Sequence, residues 1–276
     1  MINKYEQESD NAVYQPRSIY ERLRWTIRNN IISSMSMLTP PSNGNFLRCL
    51  YCHYVFDDQR KQFAELIAQL KNSADFINTD SLISIAKGNA PLNGKYYHLS
   101  FDDGFKNIVQ NAVPILLDNN VPSIFFVPTN YIGADFNEAK TFCLQKTSYG
   151  SVIEMASSSD LQEMANAGFD IGAHTRTHPK LARISKIDAL KKEIMGPKID
   201  LELKHNIQCK YFSWPFGRRS DVNKKVIAII NNSGYKASFG AFRGSIIPGK
   251  TDYYMIPRHH FEVHWPLSHI LFFAGV

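Results

Sequence analysis

The stretch Tyr96-Tyr97-His98-Leu99-Ser100-Phe101-Asp102-Asp103-Gly104-Phe105 decides how this chain folds. Its pattern predicts a buried strand over 96–101 that ends in two adjacent carboxylates and a glycine turn. Two neighbouring carboxylates at a strand end resist joint ionisation, because like charges repel strongly where water is scarce. A bound metal ion would make such a pair tolerable, so the stretch directs attention to possible metal ligands elsewhere.

The segment His174-Thr175-Arg176-Thr177-His178 offers those ligands, because it directly follows another apolar strand predicted over 169–173. One aspartate and two histidines form a three-ligand site that leaves positions open for water and substrate, as in hydrolytic metal centres. Neither motif is specific by itself, since Asp-Asp-Gly turns and His-x-x-x-His pairs also arise by chance. Found together, each directly after a predicted strand, they favour a metal site over coincidence.

The residue types also suggest a hydrolytic mechanism. A divalent cation lowers the pKa of bound water toward about 7. The second aspartate could then act as the general base, and a backbone N–H could help to stabilise the tetrahedral oxyanion. A histidine is the natural general acid near neutral pH, because its ordinary pKa lies there.

Composition and charge limit the class of protein. The chain has 276 residues, of which 44% are hydrophobic and 20% charged, as expected for a globular α/β protein with a sizeable core. The formal net charge of +6 favours anionic partners, but it is too small to predict nucleic-acid binding without an aromatic-basic motif. Cys49 and Cys52 fall within one predicted strand and would point to opposite faces. We therefore predict buried thiols rather than a redox or zinc pair.

The N-terminal part of the chain differs from the rest. Residues 1–45 are predicted to form a helical extension, with a linker at 40–45, ahead of a main domain over 46–276. Residues 18–38 read as a basic amphipathic helix, which leaves two interpretations open: packing on the main domain, or peripheral contact with a membrane surface. No signal peptide or transmembrane run is recognised in the sequence. We expect a cytoplasmic protein, either free or peripheral at the inner membrane surface.

From residue 46 onward, strand and helix patterns alternate, and polar residues such as His53, Asp102, His174 and Arg258 follow the strands. This arrangement predicts an α/β fold, a (β/α) barrel with about seven strands and its active site at the strand C-terminal ends. Residues 134–157 are expected to be an irregular insertion, and Ser159 is expected to cap a helix with Gln162. The predicted strands are 46–56, 96–101, 123–127, 169–173, 209–214, 235–239 and 253–257, and the predicted helices are 57–71, 79–87, 105–119 (kinked at Pro114), 159–168, 185–204 (broken at Gly196-Pro197) and 222–232.

Three motifs resemble those of the polysaccharide deacetylases of carbohydrate esterase family 4, the NodB homology domain. They are Ser100-Phe101-Asp102-Asp103-Gly104, His174-Thr175-x-x-His178 and Ser213-Trp214-Pro215-Phe216-Gly217, and the similarity extends over about 46–260. The resemblance implies a distorted seven-stranded (β/α) barrel and metal-dependent hydrolysis of an N-acetyl group on a sugar or glycan. The implied roles are Asp102 as catalytic base, Asp103, His174 and His178 as ligands of Zn2+ (with Co2+, Ni2+ or Mn2+ as alternatives), and the Pro215-Phe216 turn as the oxyanion and substrate contact.

The chain departs from the commonest family pattern in two places. Ser213 stands where an arginine usually orients the catalytic base, and the late histidines His264 and His269 lack the neighbours of the usual general acid. In the circularly permuted branch, typified by poly-N-acetylglucosamine deacetylases, the acid histidine comes from a Tyr-His element on the first strand, and Tyr51-Cys52-His53 is similar. The hypothesis is therefore that His53 is the general acid and that Arg258 replaces the missing arginine.

Two other functions remain open at this stage. The same fold hosts amidases and deformylases that act on small non-sugar substrates, and a catalytically inactive carbohydrate-binding protein could retain the motifs. If residues 18–38 contact a membrane, the glycan substrate could be lipid-linked. The sequence contains no motif that predicts an oligomeric state.

Overall fold

The computed structural model describes residues 5–9, 19–38, 44–147 and 149–275. Within them, one curled sheet contains seven strands in a continuous path, and an eighth short strand pairs beside it. Every pairing between these strands is parallel. The strands are β1 (Phe46–Cys52), β2 (Asp75–Phe76), β3 (Lys95–Phe101), β4 (Ser123–Val127), β5 (Asp170–Ala173), β6 (Tyr211–Ser213), β7 (Ala237–Phe239) and β8 (His259–His260).

The strand order β7-β6-β5-β4-β3-β1-β8, with β2 on the side of β3, gives a half-barrel. The predicted distorted (β/α) barrel of about seven strands is thus confirmed. The described residues also form nine α-helices that cover the sheet. They are α1 (Ile19–Leu38), α2 (Arg60–Ser73), α3 (Thr79–Ala86), α4 (Val113–Asp118), α5 (Phe136–Thr141), α6 (Ser158–Asn166), α7 (Ile187–Ile199), α8 (Lys224–Asn232) and α9 (Leu267–Ala274).

Two hydrophobic clusters occupy the two faces of the sheet. All five residues of β4 are buried, because a parallel strand is covered on both faces. Ile124 and Phe126 belong to the inner cluster, which α3 closes, whereas Phe125 joins the larger cluster under the outer helices. Cys49 and Cys52 follow the same alternation and enter different clusters as free, buried thiols, as predicted.

One segment bridges the two ends of the sheet path. Ile256 pairs in parallel with Phe239 at β7, and a few residues later His259 and His260 pair with β1. The predicted strand at 253–257 was wrong in its bounds: the regular strand is β8. Pro257 explains the shift, since a proline has no N–H to donate to a strand neighbour.

Other local expectations needed correction. The insertion predicted to be irregular contains α5 and a π-helical turn over Phe142–Thr147. The cap of α6 is Ser157 with Asp160, two residues earlier than the predicted pair. Helix α7 continues through Gly196-Pro197 rather than breaking there, and widens into a π-helical turn only at Asp200–Lys204.

Pro114 was expected to interrupt its helix, and the structure shows how. The turn before it, Ile108–Ala112, is π-helical, and α4 begins at Val113. A proline lacks an N–H and crowds the carbonyl one turn earlier, so the helix widens at that point.

The N-terminal helix α1 begins at Ile19 and ends at Leu38, close to the predicted 18–38. Ser18 and the predicted linker up to residue 43 lie outside the described residues. Helix α1 packs against α9: Ile32 is buried, and the Ser33 hydroxyl lies 2.8 Å from His269 Nε2. None of the helices in the described parts of the chain has the length and apolarity of a membrane span. The division into two domains at residue 45 stays a prediction.

Candidate metal centre and active site

Strand register brings the predicted site residues to one edge of the sheet. Cys52 pairs with Phe101, so His53 and Asp102 emerge side by side from β1 and β3. Ala173 pairs with Phe212, which places His174 level with Ser213 at the ends of β5 and β6. The C-terminal edge of the parallel sheet therefore collects the residues that the sequence analysis singled out, as α/β barrels do.

Asp103, His174 and His178 form a compact, buried group of possible metal ligands. Asp103 Oδ1 lies 3.5 Å from His174 Nε2 and 3.2 Å from His178 Nε2. His174 Nδ1 lies 2.8 Å from the Ser213 carbonyl oxygen. Because a carbonyl only accepts, His174 must donate through Nδ1, and its Nε2 lone pair is left facing Asp103. One carboxylate and two imidazoles so oriented fit a divalent cation such as zinc.

The backbone around this group is unusual. Asp103, Thr175, His178 and Phe216 all have positive φ angles, between 59° and 72°. Non-glycine residues rarely adopt this left-handed region, because their Cβ atoms crowd the backbone. Strained residues of this kind cluster at functional sites, where the surrounding packing holds them in place.

Tyr149, from the insertion, completes the surroundings of Asp103. Its hydroxyl donates to Asp103 Oδ2 at 2.7 Å, while Oδ1 faces the two histidines. Burial and the nearby carboxylate raise the pKa of Tyr149, so the phenol keeps its proton for this bond. Burial alone would raise the pKa of Asp103, but its electrostatic attraction to His178 outweighs the effect of burial, and the pKa of the carboxyl is lowered. The sequence analysis did not identify Tyr149.

The loop that carries both histidines is held from behind by α7. Glu193 Oε2 accepts the backbone N–H groups of Arg176 and Thr177, each at 2.9 Å. The Arg176 guanidinium binds Asp200 through two hydrogen bonds of 2.7 and 2.9 Å. A side chain at Gly196 would displace the Arg176 guanidinium, so the glycine leaves room for this contact where α7 meets the loop. These contacts fix the spacing of the two imidazoles.

Asp102 has a different set of partners from its neighbour Asp103. Both of its oxygens accept from Arg258, at 2.8 and 2.7 Å, in a bidentate pair that is almost entirely buried. Arg258 also donates to the Ser213 hydroxyl at 2.8 Å and to Ser100. Burial opposes ionisation of Asp102, but the Arg258 charge outweighs it and lowers the pKa of the carboxyl. The guanidinium thus reaches Asp102 from the segment just before β8, and it contacts Ser213, which occupies the usual arginine position.

His53 belongs to a second cluster of titratable groups, with Glu262 and His260. Glu262 Oε1 accepts from His53 Nδ1 at 2.6 Å and from His260 Nε2 at 2.7 Å. Burial opposes protonation of His53, but the Glu262 charge and hydrogen bond outweigh it and raise the pKa of His53 to about 9. The same attraction, against the effect of burial, lowers the pKa of Glu262 to about 2. With Nδ1 engaged, His53 has Nε2 left for a ligand.

Sequence reasoning missed Glu262 and His260, although a signal was present. Arg258, His260 and Glu262 alternate along an extended segment, and alternate residues of such a segment share one face. The structure places all three side chains beside Asp102 or His53. The two late histidines differ: His264 lines the same pocket, while His269 bonds to α1.

The Phe216-Gly217 turn forms the opposite wall. Phe216 packs its ring against His178, with centroids 5.1 Å apart, and Gly217 also has a positive φ. A side chain at Gly217 would collide with Ala241, whose N–H donates to the Gly217 carbonyl at 2.7 Å. Pro215, predicted as part of the substrate contact, is buried, and the pocket wall here consists of Phe216, Gly217 and Ala241.

These groups surround a cavity of about 450 Å³, a size that suits a small ligand or one unit of a polymer. Aromatic residues Tyr51, Tyr149 and Trp265 contribute to its wall, and Arg28 reaches it from α1. Arg28 also lies over the Trp265 ring, 5.4 Å from its centroid.

The fold and the site together define an α/β-barrel protein with a buried histidine–carboxylate centre, as found in hydrolases that use a metal ion. The chain belongs to the polysaccharide deacetylase family: the family model matches residues 89–238. The resemblance seen in the three motifs is thereby confirmed. Carbohydrate deacetylation is the reaction class that this membership supports.

A relative found by sequence and two solved structures are consistent with this family membership. The poly-beta-1,6-N-acetyl-D-glucosamine N-deacetylase of Staphylococcus aureus (strain MRSA252) is 25% identical over 210 residues, which cover 72% of this chain and 66% of that protein. The chain therefore spans just under two thirds of the length of that relative. Among solved structures, IcaB from Ammonifex degensii aligns with a TM-score of 0.69 at 20% identity, covering 84% of this chain and 98% of that one. The Streptococcus pyogenes deacetylase PplD, in complex with acetate, gives a TM-score of 0.65 at 17% identity, with coverages of 86% and 100%.

Proposed function

We propose that this protein removes an N-acetyl group from an amino sugar within a glycan, by metal-assisted hydrolysis. The observation that carries the proposal is the separation of roles between adjacent carboxylates. Asp102 pairs with Arg258, whereas Asp103 faces two histidines and a tyrosine. Asp102 is thus kept ionised and apart from the possible metal ligands, whereas Asp103 is one of those ligands.

Asp103, His174 and His178 would hold the cation, whose chemistry when bound is to polarise the acetyl carbonyl and increase the acidity of water. Zinc suits this donor set, and Co2+, Ni2+ or Mn2+ could replace it. Tyr149 and the Ser213 carbonyl orient two of the three ligands, and such outer contacts tune the affinity of a metal site.

Asp102 is the proposed general base. It accepts a proton from the attacking water as the new C–O bond forms. The lowered pKa of its carboxyl keeps it ionised at neutral pH, and Arg258 fixes the direction of its oxygens. Positioning of this kind is a large part of catalysis, because misplacing a group by about 1 Å can cost on the order of a hundredfold in rate.

His53 is the proposed general acid. As the C–N bond breaks, its Nε2 proton passes to the leaving nitrogen, and acetate and a free amine are released. Glu262 keeps the imidazole protonated until that step. The backbone N–H of Phe216 is proposed to stabilise the oxyanion from the wall of the pocket, where the turn through Gly217 is pinned to Ala241.

The substrate class rests on the relatives. A protein with 25% identity is named for deacetylating poly-beta-1,6-N-acetyl-D-glucosamine, so we propose a beta-linked N-acetylglucosamine glycan as the first substrate to test. The aromatic walls at Tyr51 and Trp265 suit the apolar faces of sugar rings, and the cavity accepts one unit at a time.

The test is metal-dependent release of acetate. Protein stripped by a chelator would be reloaded with zinc or cobalt and offered N-acetylglucosamine oligomers, nucleotide sugars and small non-sugar amides or formamides, with Asp102→Asn as the control. Release from the oligomers that requires metal and disappears in Asp102→Asn would support the proposal. Release only from non-sugar amides would favour the amidase alternative. Absence of turnover with one metal bound per chain would favour the inactive carbohydrate-binding alternative.

A further inference from the structure

Helix α1 exposes an apolar stripe along one side. Its members are between 46% and 70% exposed and recur every three or four residues, which is the helical repeat. In the described residues, α1 thus leaves uncovered the face that amphipathic helices normally bury. The stripe residues are Tyr20, Leu23, Ile27, Ile31 and Met35.

The residues that the structure describes do not cover this stripe, because α1 docks on them through its other face. Ile32 is buried and Ser33 bonds to His269 of α9. Successive helical residues turn by about 100°, so Ser33 lies about 160° away from Ile31 around the axis. The stripe therefore points away from the barrel, and the docking contact with α9 is not an alternative partner for it.

The exposed charge described beside the stripe is basic, and Glu21 is the one acidic residue in the sequence of α1. Arg24 and Arg28 are exposed next to it, and the sequence holds no Asp or Glu between Glu21 and Asp57. Pairing of two α1 helices would bring the arginines of both copies together, with one acidic residue, Glu21, in each helix to offset them. An apolar stripe bordered by arginines is complementary to an anionic phospholipid surface, where the apolar residues enter the acyl boundary and the arginines meet phosphates.

We propose that α1 is an interfacial helix that holds the catalytic barrel on an anionic membrane surface, with the pocket opening next to the lipid. Arg28 connects the two parts, since it lies on α1, lines the pocket and sits over Trp265. A substrate that is itself near the membrane would then reach the site without leaving the surface. The membrane contact stands on α1 alone and does not depend on the proposed reaction.

Vesicle co-sedimentation of the full chain tests this proposal. Vesicles of phosphatidylcholine with phosphatidylglycerol are compared with vesicles of phosphatidylcholine alone. The wild-type protein should bind the anionic vesicles, less strongly as salt is added. The double variant Ile27→Glu/Ile31→Glu should lose at least tenfold in partition coefficient, and Arg24→Gln should lose about fivefold. The matched control is Leu203→Glu, which changes a side chain that is 80% exposed but lies after α7, and it should bind like the wild type.

Circular dichroism and thermal unfolding would show that each variant keeps its fold. Equal binding by the wild type and the double variant, or no binding to anionic vesicles, would overturn the proposal. Binding that is equally strong on uncharged vesicles would overturn the role given to the arginines. A wild-type dimer that the double variant converts to a monomer, without vesicle binding, would assign the stripe to a second copy instead. Acetate release plays no part in these readings, so failure here is distinct from failure of the proposed reaction.

Discussion

The guanidinium of Arg258 donates hydrogen bonds to both carboxylate oxygens of Asp102, although 156 positions of sequence separate the two residues. Neither side chain has appreciable contact with solvent. Removing one partner of a buried ion pair leaves an uncompensated charge, which typically costs about 3–5 kcal/mol of stability. The pair therefore couples the orientation of the proposed base to the stability of the barrel.

The substitution Arg258→Lys should preserve the positive charge but lose the bidentate geometry. We expect kcat to fall about a hundredfold with little change in KM, because the base is misplaced while the substrate contacts remain. Steady-state kinetics on the deacetylation substrate would measure this, with the exposed Arg183→Lys as the matched control. A change confined to KM would contradict the orienting role.

Glu262→Gln should change how activity depends on pH. The Glu262 charge raises the pKa of His53 to about 9, so its removal should lower that pKa. Because a general acid works only while protonated, the alkaline limb of the kcat/KM profile should move to lower pH. Glu154→Gln, which breaks a surface pair with Lys106, is the control and should leave the limb in place. A profile unchanged by Glu262→Gln would remove His53 from the acid role.

Tyr149→Phe should weaken metal binding. It deletes the hydroxyl that donates to Asp103 Oδ2 and leaves that oxygen without its partner. Outer contacts to metal ligands commonly account for 10–100-fold in affinity, so we expect a loss of at least tenfold. Competition with a chromophoric zinc chelator would measure it without reference to turnover. Tyr96→Phe, whose hydroxyl bonds to Asn93 at the surface, should bind metal as the wild type does.

His98 should make the fold less stable in acid. It is fully buried, stacks on Phe239, and has its pKa lowered from 6.5 to about 3 by burial and by Arg258. Between those pH values the unfolded chain binds a proton that the folded chain does not. The free energy of unfolding should therefore fall as the pH drops through this window, by up to about 1.4 kcal/mol per pH unit.

Urea unfolding at several pH values between 4 and 7 would show this slope. His98→Phe, which keeps an aromatic ring beside Phe239, should make the slope shallower, while His259, whose pKa burial lowers to about 4, retains part of it. The partly exposed His205 gives a control, since His205→Phe should retain most of the slope. A slope equally steep in His98→Phe and in the wild type would assign the acid sensitivity to other groups.

The sequence predicted the barrel and the centre of the site because both rest on local patterns. A strand that ends in Asp102-Asp103 and another that ends at His174 must meet at the same edge of a parallel sheet. The proximity of His53 and Arg258 to Asp102 was also predicted, and the register of β1 and the bidentate pair are in agreement with it. The chemical roles of these residues stay predictions.

What the sequence did not predict depends on long-range packing. Tyr149 lies in an insertion without a periodic pattern, and only the folded chain brings it to Asp103. Glu262 follows a segment whose strand bounds were misplaced around Pro257, so its partnership with His53 was not recognised. The cytoplasmic location is likewise still a prediction.

The segment that crosses from β7 to β1 supplies the charged partners of both Asp102 and His53. Until that segment docks, Asp102 has no guanidinium and His53 has no carboxylate, because Arg258 and Glu262 both arrive with it. In a chain folded only through β7, the Asp102 carboxylate would lack its ion-pair partner, and the His53 imidazole would lack the carboxylate that raises its pKa. Asp102 and His53 therefore acquire the partners on which their proposed roles depend only when the sheet is completed at β8.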